Sequence, residues 1–125
     1  MRISDAEAVV MHVLWERGTL AADEVVAALA GRHAWAEPTI KTLLNRLLNK
    51  GAVEAVRDGR RYRYSPVLQR DAWLARQSEG LIDRLFGGRI VPLVAHFSEH
   101  NKLSQDDIAE LRRLVERLED GHGRD

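Results

Sequence analysis

No cysteine occurs anywhere in the chain. Disulfides are therefore excluded, and so is any thiolate metal site. Long apolar runs are missing too. No stretch approaches the roughly 18 consecutive apolar residues that a membrane span needs. Met1-Arg2-Ile3-Ser4-Asp5 leads straight into an amphipathic pattern, with no signal-peptide core. A cytoplasmic protein is the expectation. Catalytic signatures are equally scarce: there is no Gly-rich phosphate loop, nucleophile elbow or HExxH motif. The paired acids Asp106-Asp107 and Glu119-Asp120 fall at expected helix ends, where capping and solvation account for them. No enzyme, cofactor or resident metal is expected.

Net charge is the last absence, because 19 Lys and Arg balance 19 Asp and Glu. The distribution is uneven, however. Residues 39–63 hold 7 basic and 2 acidic residues, a net of +5. Residues 67–125 carry a net of −2. A local basic segment within a neutral chain points to a nucleic-acid face, or to a solvated surface.

What is present is mostly helical. Ser4-Asp5-Ala6-Glu7 has the form of a capping box. Ala6, Val9, Val10, Val13 and Leu14 then mark one helical face, and Gly18 ends the helix. A short second helix carries Ala22, Val25, Val26 and Leu29, with Asp23 and Glu24 in its first turn and Gly31 after it. The third helix is expected to open at Pro38 and close at Gly51. Its stripe is Ile40, Leu43, Leu44, Leu47 and Leu48. The opposite face carries Thr42, Asn45 and Asn49, flanked by Thr39, Lys41 and Arg46.

A β-hairpin follows. Asp58-Gly59 reads as its two-residue turn, pairing Ala55 with Tyr62, Glu54 with Arg63 and Val53 with Tyr64. Both tyrosines would then share the core face with Val53 and Ala55. Val56, Glu54, Arg61 and Arg63 would face outward, with Arg57 and Arg60 flanking the turn.

Beyond Pro66 the pattern is helical again. A helix over residues 68–86 carries Leu74, Leu81, Ile82 and Leu85, and Gly87-Gly88 breaks it. A short helix over 90–100 carries Val91, Leu93, Val94 and Phe97. Ser104 caps a last helix with Ile108, Leu111, Leu114, Val115 and Leu118 on one face. Three such helices are too thin to enclose a core alone. A second copy of the chain is the simplest partner for their apolar faces.

The order helix, helix, helix, hairpin, with a basic third helix and an arginine-bearing turn, suits duplex DNA. A helix fits the major groove, where Arg reads guanine, Asn reads adenine and a Thr methyl meets thymine. Thr39, Lys41, Thr42, Asn45 and Arg46 supply that set, and Arg57, Arg60 and Arg61 could reach phosphates or the minor groove. The start of the third helix could also receive a phosphate. Trp15, Trp35 and Trp73 read as packing residues, Trp35 as a brace for the third helix. His12 and His33 look isolated. His96 and His100 stand at i, i+4, a spacing that can hold Zn²⁺ or Cu²⁺ given a third ligand such as Glu99 or His122. A pair of surface or interface histidines is the simpler account.

These residues resemble a known family, the BlaI/MecI/CopY group of penicillinase repressors. The resemblance covers nearly the whole chain. It rests on Ile3-Ser4-Asp5-Ala6-Glu7 leading to Val13-Leu14-Trp15, and on the run Pro38-Thr39-Ile40-Lys41-Thr42-Leu43-Leu44-Asn45-Arg46-Leu47. Lys50-Gly51, Asp58-Gly59-Arg60-Arg61-Tyr62 and Lys102-Leu103-Ser104 also match. It implies a mainly α fold with a small β-hairpin wing: a winged helix-turn-helix domain, residues 1–66, followed by a helical dimerisation domain, residues 67–125. It implies a homodimer bound to a palindromic operator with TACA and TGTA half-sites, occluding a promoter. The dimer contacts would come from Leu74, Leu81, Ile82, Leu85, Leu93, Val94, Phe97, Leu111, Val115 and Leu118. In the penicillinase branch a membrane sensor-protease system leads to cleavage between Asn and Phe. The matching position here reads His96-Phe97, and Phe97 equally suits an interface core. The copper branch binds metal through C-terminal cysteines, which this chain lacks. A metal- or ligand-responsive repressor, and a protein-interaction adaptor that does not bind DNA, are the competing readings.

Overall fold

The structure is a computed structural model that describes residues 1–100 and 102–122. The chain divides into two compact units, the first Met1–Arg76, the second from Gln77 onward. The elements run α1 (Asp5–Arg17), β1 (Leu20–Ala21), α2 (Ala22–Leu29), α3 (Glu37–Lys50), β2 (Val53–Asp58), β3 (Arg61–Pro66), α4 (Arg70–Phe86), α5 (Ile90–Glu99) and α6 (Gln105–His122).

Local chemistry explains the helix ends. Ser4 Oγ accepts from the Glu7 N–H at 3.1 Å, and the Glu7 carboxylate accepts from the Ser4 N–H at 2.8 Å, so the expected capping box forms. Ser104 and Asp107 exchange the same pair of bonds at the start of α6. Helix α3 starts at Glu37, one residue earlier than expected, with Pro38 second. It stops at Gly51, whose φ of 79° closes the helix in the left-handed region and whose N–H bonds back to Leu47 and Leu48 carbonyls.

The expected stripes build most of the core of the first unit, but Met11 joins it unannounced and Ala6, Val9, Ala22 and Val26 lie half-buried at its edge. Val10, Met11, Val13 and Leu14 of α1 pack with Val25 and Leu29 of α2, and with Ile40, Leu43, Leu44 and Leu47 of α3. Ala52 and Val53 close it from the sheet side. Leu48, expected in the stripe, is 37% exposed. It falls at the stripe's outer edge.

The sheet departs from expectation in two ways. It has three strands rather than two, in the order β1-β3-β2, because Leu20 and Ala21 pair with Tyr64 and Arg63. In addition, the hairpin loop is Gly59-Arg60, and Asp58 pairs with Arg61 as the last rung of the ladder. Gly59 takes φ 64° at the first loop position, where both favoured two-residue hairpin turns need a positive φ. Ala55 therefore pairs with Tyr64 and Val53 with Pro66, a slip of two residues from the expected register. A slip of two leaves every side chain on its expected face but moves it along the strand. Tyr64 consequently packs against the core, while Tyr62 moves opposite Arg57 toward the wing tip and is 53% exposed. The expectation of two core tyrosines is corrected to one.

Among the described residues, Glu7 is the one charged side chain in the core, 1% exposed. Lys50 at the end of α3 donates to Glu7 Oε1 at 2.6 Å and to the Arg2 carbonyl at 3.0 Å. This pair pins the C-terminal end of α3 to the start of α1. Burial opposes the Glu7 charge, but the bonds from Lys50 and from the Ser4 backbone and hydroxyl outweigh it and hold its pKa below the ordinary glutamate value. The stabilisation is thus fully present above the unfolded-state pKa of about 4.3. It is lost as pH falls through the lower folded-state value. Lys50→Met strands a buried carboxylate whose partner was itself partly exposed. A loss of about 1–3 kcal/mol is expected in urea unfolding at neutral pH.

Helix α4, whose first residues belong to the first unit, and helix α5 contain no fully buried residue. Leu81, Leu85, Val91, Phe97, Ile108, Leu114, Val115 and Leu118 are all exposed large hydrophobics. Among the described residues, no helix is long and apolar enough to cross a membrane.

Candidate nucleic-acid interface

Helix α3 divides cleanly. Ile40, Leu43, Leu44 and Leu47 are buried, and Thr39, Lys41, Thr42, Asn45, Arg46 and Asn49 are exposed on its other side. Burial of four aliphatic side chains fixes the rotation of the helix, so the polar face has nowhere to point but outward. The Thr42 hydroxyl donates to the Pro38 carbonyl at 2.9 Å, which orients its methyl. Lys41 pairs with Glu37 one turn earlier, at 3.2 Å.

Trp35 packs against the core just before α3, and His33 stacks on it with ring centroids 4.6 Å apart. His12 meets Trp15 and Trp73 edge-on at 5.2 and 5.3 Å. Neither histidine is isolated, as the sequence had suggested; each is partnered by a tryptophan brought near by the fold. The Trp15 indole N–H donates to the Leu68 carbonyl at 2.8 Å, fastening the segment after β3 to α1.

The wing carries Arg57, Arg60 and Arg61, all exposed. Arg57 Nε donates to the Gly59 carbonyl at 3.1 Å, which stiffens the tip. Arg61 reaches back to α2, where its guanidinium lies 2.8 Å from Asp23 and 3.6 Å from Glu24. Between α2, α3 and the wing lies an open groove of about 310 Å³, lined in part by Asp23, Glu37, Lys41, Arg61 and Tyr62. These acids had no assigned place in the interface from the sequence, where Asp23 and Glu24 read only as first-turn residues. The signal for them is tertiary, because Arg61 lies 38 positions away along the chain.

His96 and Phe97 are both exposed on α5, their rings in an edge-on contact at 5.6 Å. His96 and His100 rings lie 4.3 Å apart, and His100 Nδ1 lies 2.8 Å from the His96 carbonyl oxygen. Among the described residues, no group of three or more His, Asp or Glu is placed to hold a metal. The His122 side chain lies outside the described residues. Of the expected dimer contacts, Leu74, Leu81, Leu85, Phe97, Val115 and Leu118 are exposed, and Ile82, Leu93, Val94 and Leu111 are half-buried.

The chain is 33% identical to the penicillinase repressor of Bacillus licheniformis over 115 residues, 92% of this chain and 90% of that protein. It is 30% identical to the methicillin resistance regulatory protein MecI of Staphylococcus aureus strain N315, over 90% of this chain and 92% of that one. The solution structure of the DNA-binding domain of the repressor BlaI superimposes with a TM-score of 0.52 at 38% identity. That match covers 55% of this chain and 84% of that domain. The oxidized form of MarR from E. coli matches at TM-score 0.52 and 19% identity over 93% of this chain and 75% of that one, a likeness of fold alone. Residues 3–117 match the penicillinase repressor family, and the chain belongs to that family.

Proposed function

We propose that this chain represses transcription as a homodimer that seats two α3 helices in successive major grooves of a palindromic operator. That it is a DNA-binding transcriptional repressor follows from its family. The finer reading is carried by one observation: α3 buries four aliphatic residues and presents Thr39, Thr42, Asn45 and Arg46 together on its free side. Asn45 and Arg46 supply the bidentate donors for adenine and guanine, and Thr39 and Thr42 supply methyls and hydroxyls. Lys41 adds charge beside them. Arg57 and Arg60 take phosphates from the wing and fix the register. Arg61 joins that set only when Asp23 lets go of it.

The second copy is supported by the exposed apolar faces of α4, α5 and α6. A monomer leaving so many large aliphatic side chains in water has strong reason to pair. Induction would act on the same region. Cleavage between His96 and Phe97 by a membrane sensor-protease system would cut α5 and detach part of the interface. Both side chains are exposed in the monomer. No catalytic step is assigned to the chain itself.

Hydroxyl-radical footprinting on a palindromic TACA/TGTA duplex tests the arrangement. Two protected patches are expected on one face of the duplex, about 10 bp apart or a multiple of that. A single patch would exclude the two-fold complex.

A further inference from the structure

The ion pairs sort the basic residues of the DNA-facing side into two groups. Among the described residues, Arg46, Arg57 and Arg60 have no carboxylate within ion-pairing distance. Arg61 and Arg63 do. Arg61 Nη2 lies 2.8 Å from Asp23 Oδ1 and 3.6 Å from Glu24 Oε1. Arg63 Nε lies 3.1 Å from Asp58 Oδ2, and its Nη2 lies 4.0 Å from Glu24 Oε1. The strand geometry produces this arrangement. Pairing of β1 with β3 sets Ala21 opposite Arg63, which brings the first turn of α2 alongside the outward face of β3.

The helix dipole accounts for acids in the first turn of α2. It does not account for a wing arginine that crosses the sheet to meet them. Exposed pairs of this kind contribute little to folding. What they change is the charge offered to DNA. Each phosphate that a cation neutralises strengthens binding to every sequence alike. Cations held by internal acids are removed from that sequence-independent term, while base contacts from α3 are untouched.

We infer that Asp23 and Glu24 withhold Arg61 from DNA phosphates and so hold down the sequence-independent part of DNA binding, on operator and non-operator duplexes alike. The inference rests on the DNA-binding reading above.

The test uses the full chain and three variants: Asp23→Asn/Glu24→Gln, Arg61→Gln, and the triple combination. Glu24→Gln keeps a side-chain oxygen for the Ala21 N–H, which Glu24 now accepts at 2.9 Å. Affinity for operator and scrambled duplexes is titrated from 50 to 200 mM salt. For Asp23→Asn/Glu24→Gln, the salt slope on scrambled DNA should steepen by about 0.9, one added phosphate contact. The fall in affinity across that range then grows about 3.5-fold, and the operator slope steepens equally, so the ratio of operator to scrambled affinity stays unchanged. Arg61→Gln alone should leave the scrambled slope unchanged, and the triple variant should return to it. An unchanged slope in the double variant overturns the inference. So does an equal steepening in the triple variant, which would assign the effect to the acids' own repulsion. Should the double variant fail to fold, Asp23→Asn alone is read in the same way. Failure of the wild-type chain to prefer operator would instead overturn the underlying DNA reading.

Discussion

Aspartates placed at Val115 and Leu118 should leave a folded monomer that has lost most of its operator affinity. Both side chains are about half exposed, 50% and 54%, so a charge at either position meets water in the single chain. In a dimer seam the same charges would be desolvated without partners, which is costly. Sedimentation should therefore show a monomer at micromolar concentration with unchanged helical content. The effect on DNA should be much larger than the effect on folding. Joining two reading heads turns the second contact into an intramolecular event, and such linkage commonly multiplies affinity by about 10²–10⁴. A loss of at least about a hundredfold at the operator is expected, with little change on a half-site duplex. Retained dimerisation would move the interface away from α6.

The next largest effect should come from Arg46→Ala. Arg46 stands on the exposed side of α3, beside Asn45 and one turn after Thr42. Its guanidinium has no acid partner among the described residues, so it is available to a base. A bidentate contact to guanine O6 and N7 contributes about 1–3 kcal/mol of discrimination. Operator affinity should fall by about five- to 150-fold while scrambled-duplex affinity falls far less. Equal losses on both duplexes would make Arg46 a phosphate contact, with a salt slope reduced by about one. The core should not register the change, because the buried side of α3 is elsewhere.

The helices of this fold are legible because each carries its own signals. The Ser4–Glu7 box, the stripe from Ile40 to Leu47 and the glycine at 51 are all local, and each forms as expected. The strands are less legible because their partners are distant. Leu20 and Ala21 are too short a run to show alternation, and only pairing with β3 makes them a strand. The Asp58-Gly59 dipeptide is a strong turn signal, yet the Asp58–Arg61 rung extends the ladder and moves the loop on by one residue. Parity was preserved, so the outward face of the wing was read correctly while the depth of Tyr62 was not. The exposed face of α3 was legible for the same reason as its core, since one implies the other. The acids that hold Arg61 were not, because nothing in the spacing of Asp23 and Glu24 announces a partner on β3. The basic segment inside a chain of zero net charge was legible, but the division of its cations between paired and free was not.

The central claim is that α3 and the wing read a defined DNA sequence. Its most direct test is equilibrium binding of the full chain to a TACA/TGTA palindromic duplex and to a scrambled duplex, each titrated across salt. Tight operator binding is expected, with scrambled binding weaker by about 10³-fold or more at physiological salt and steeply salt-dependent. Equal, weak binding to both duplexes would contradict it, and would detach the polar face of α3 from the reading of that sequence.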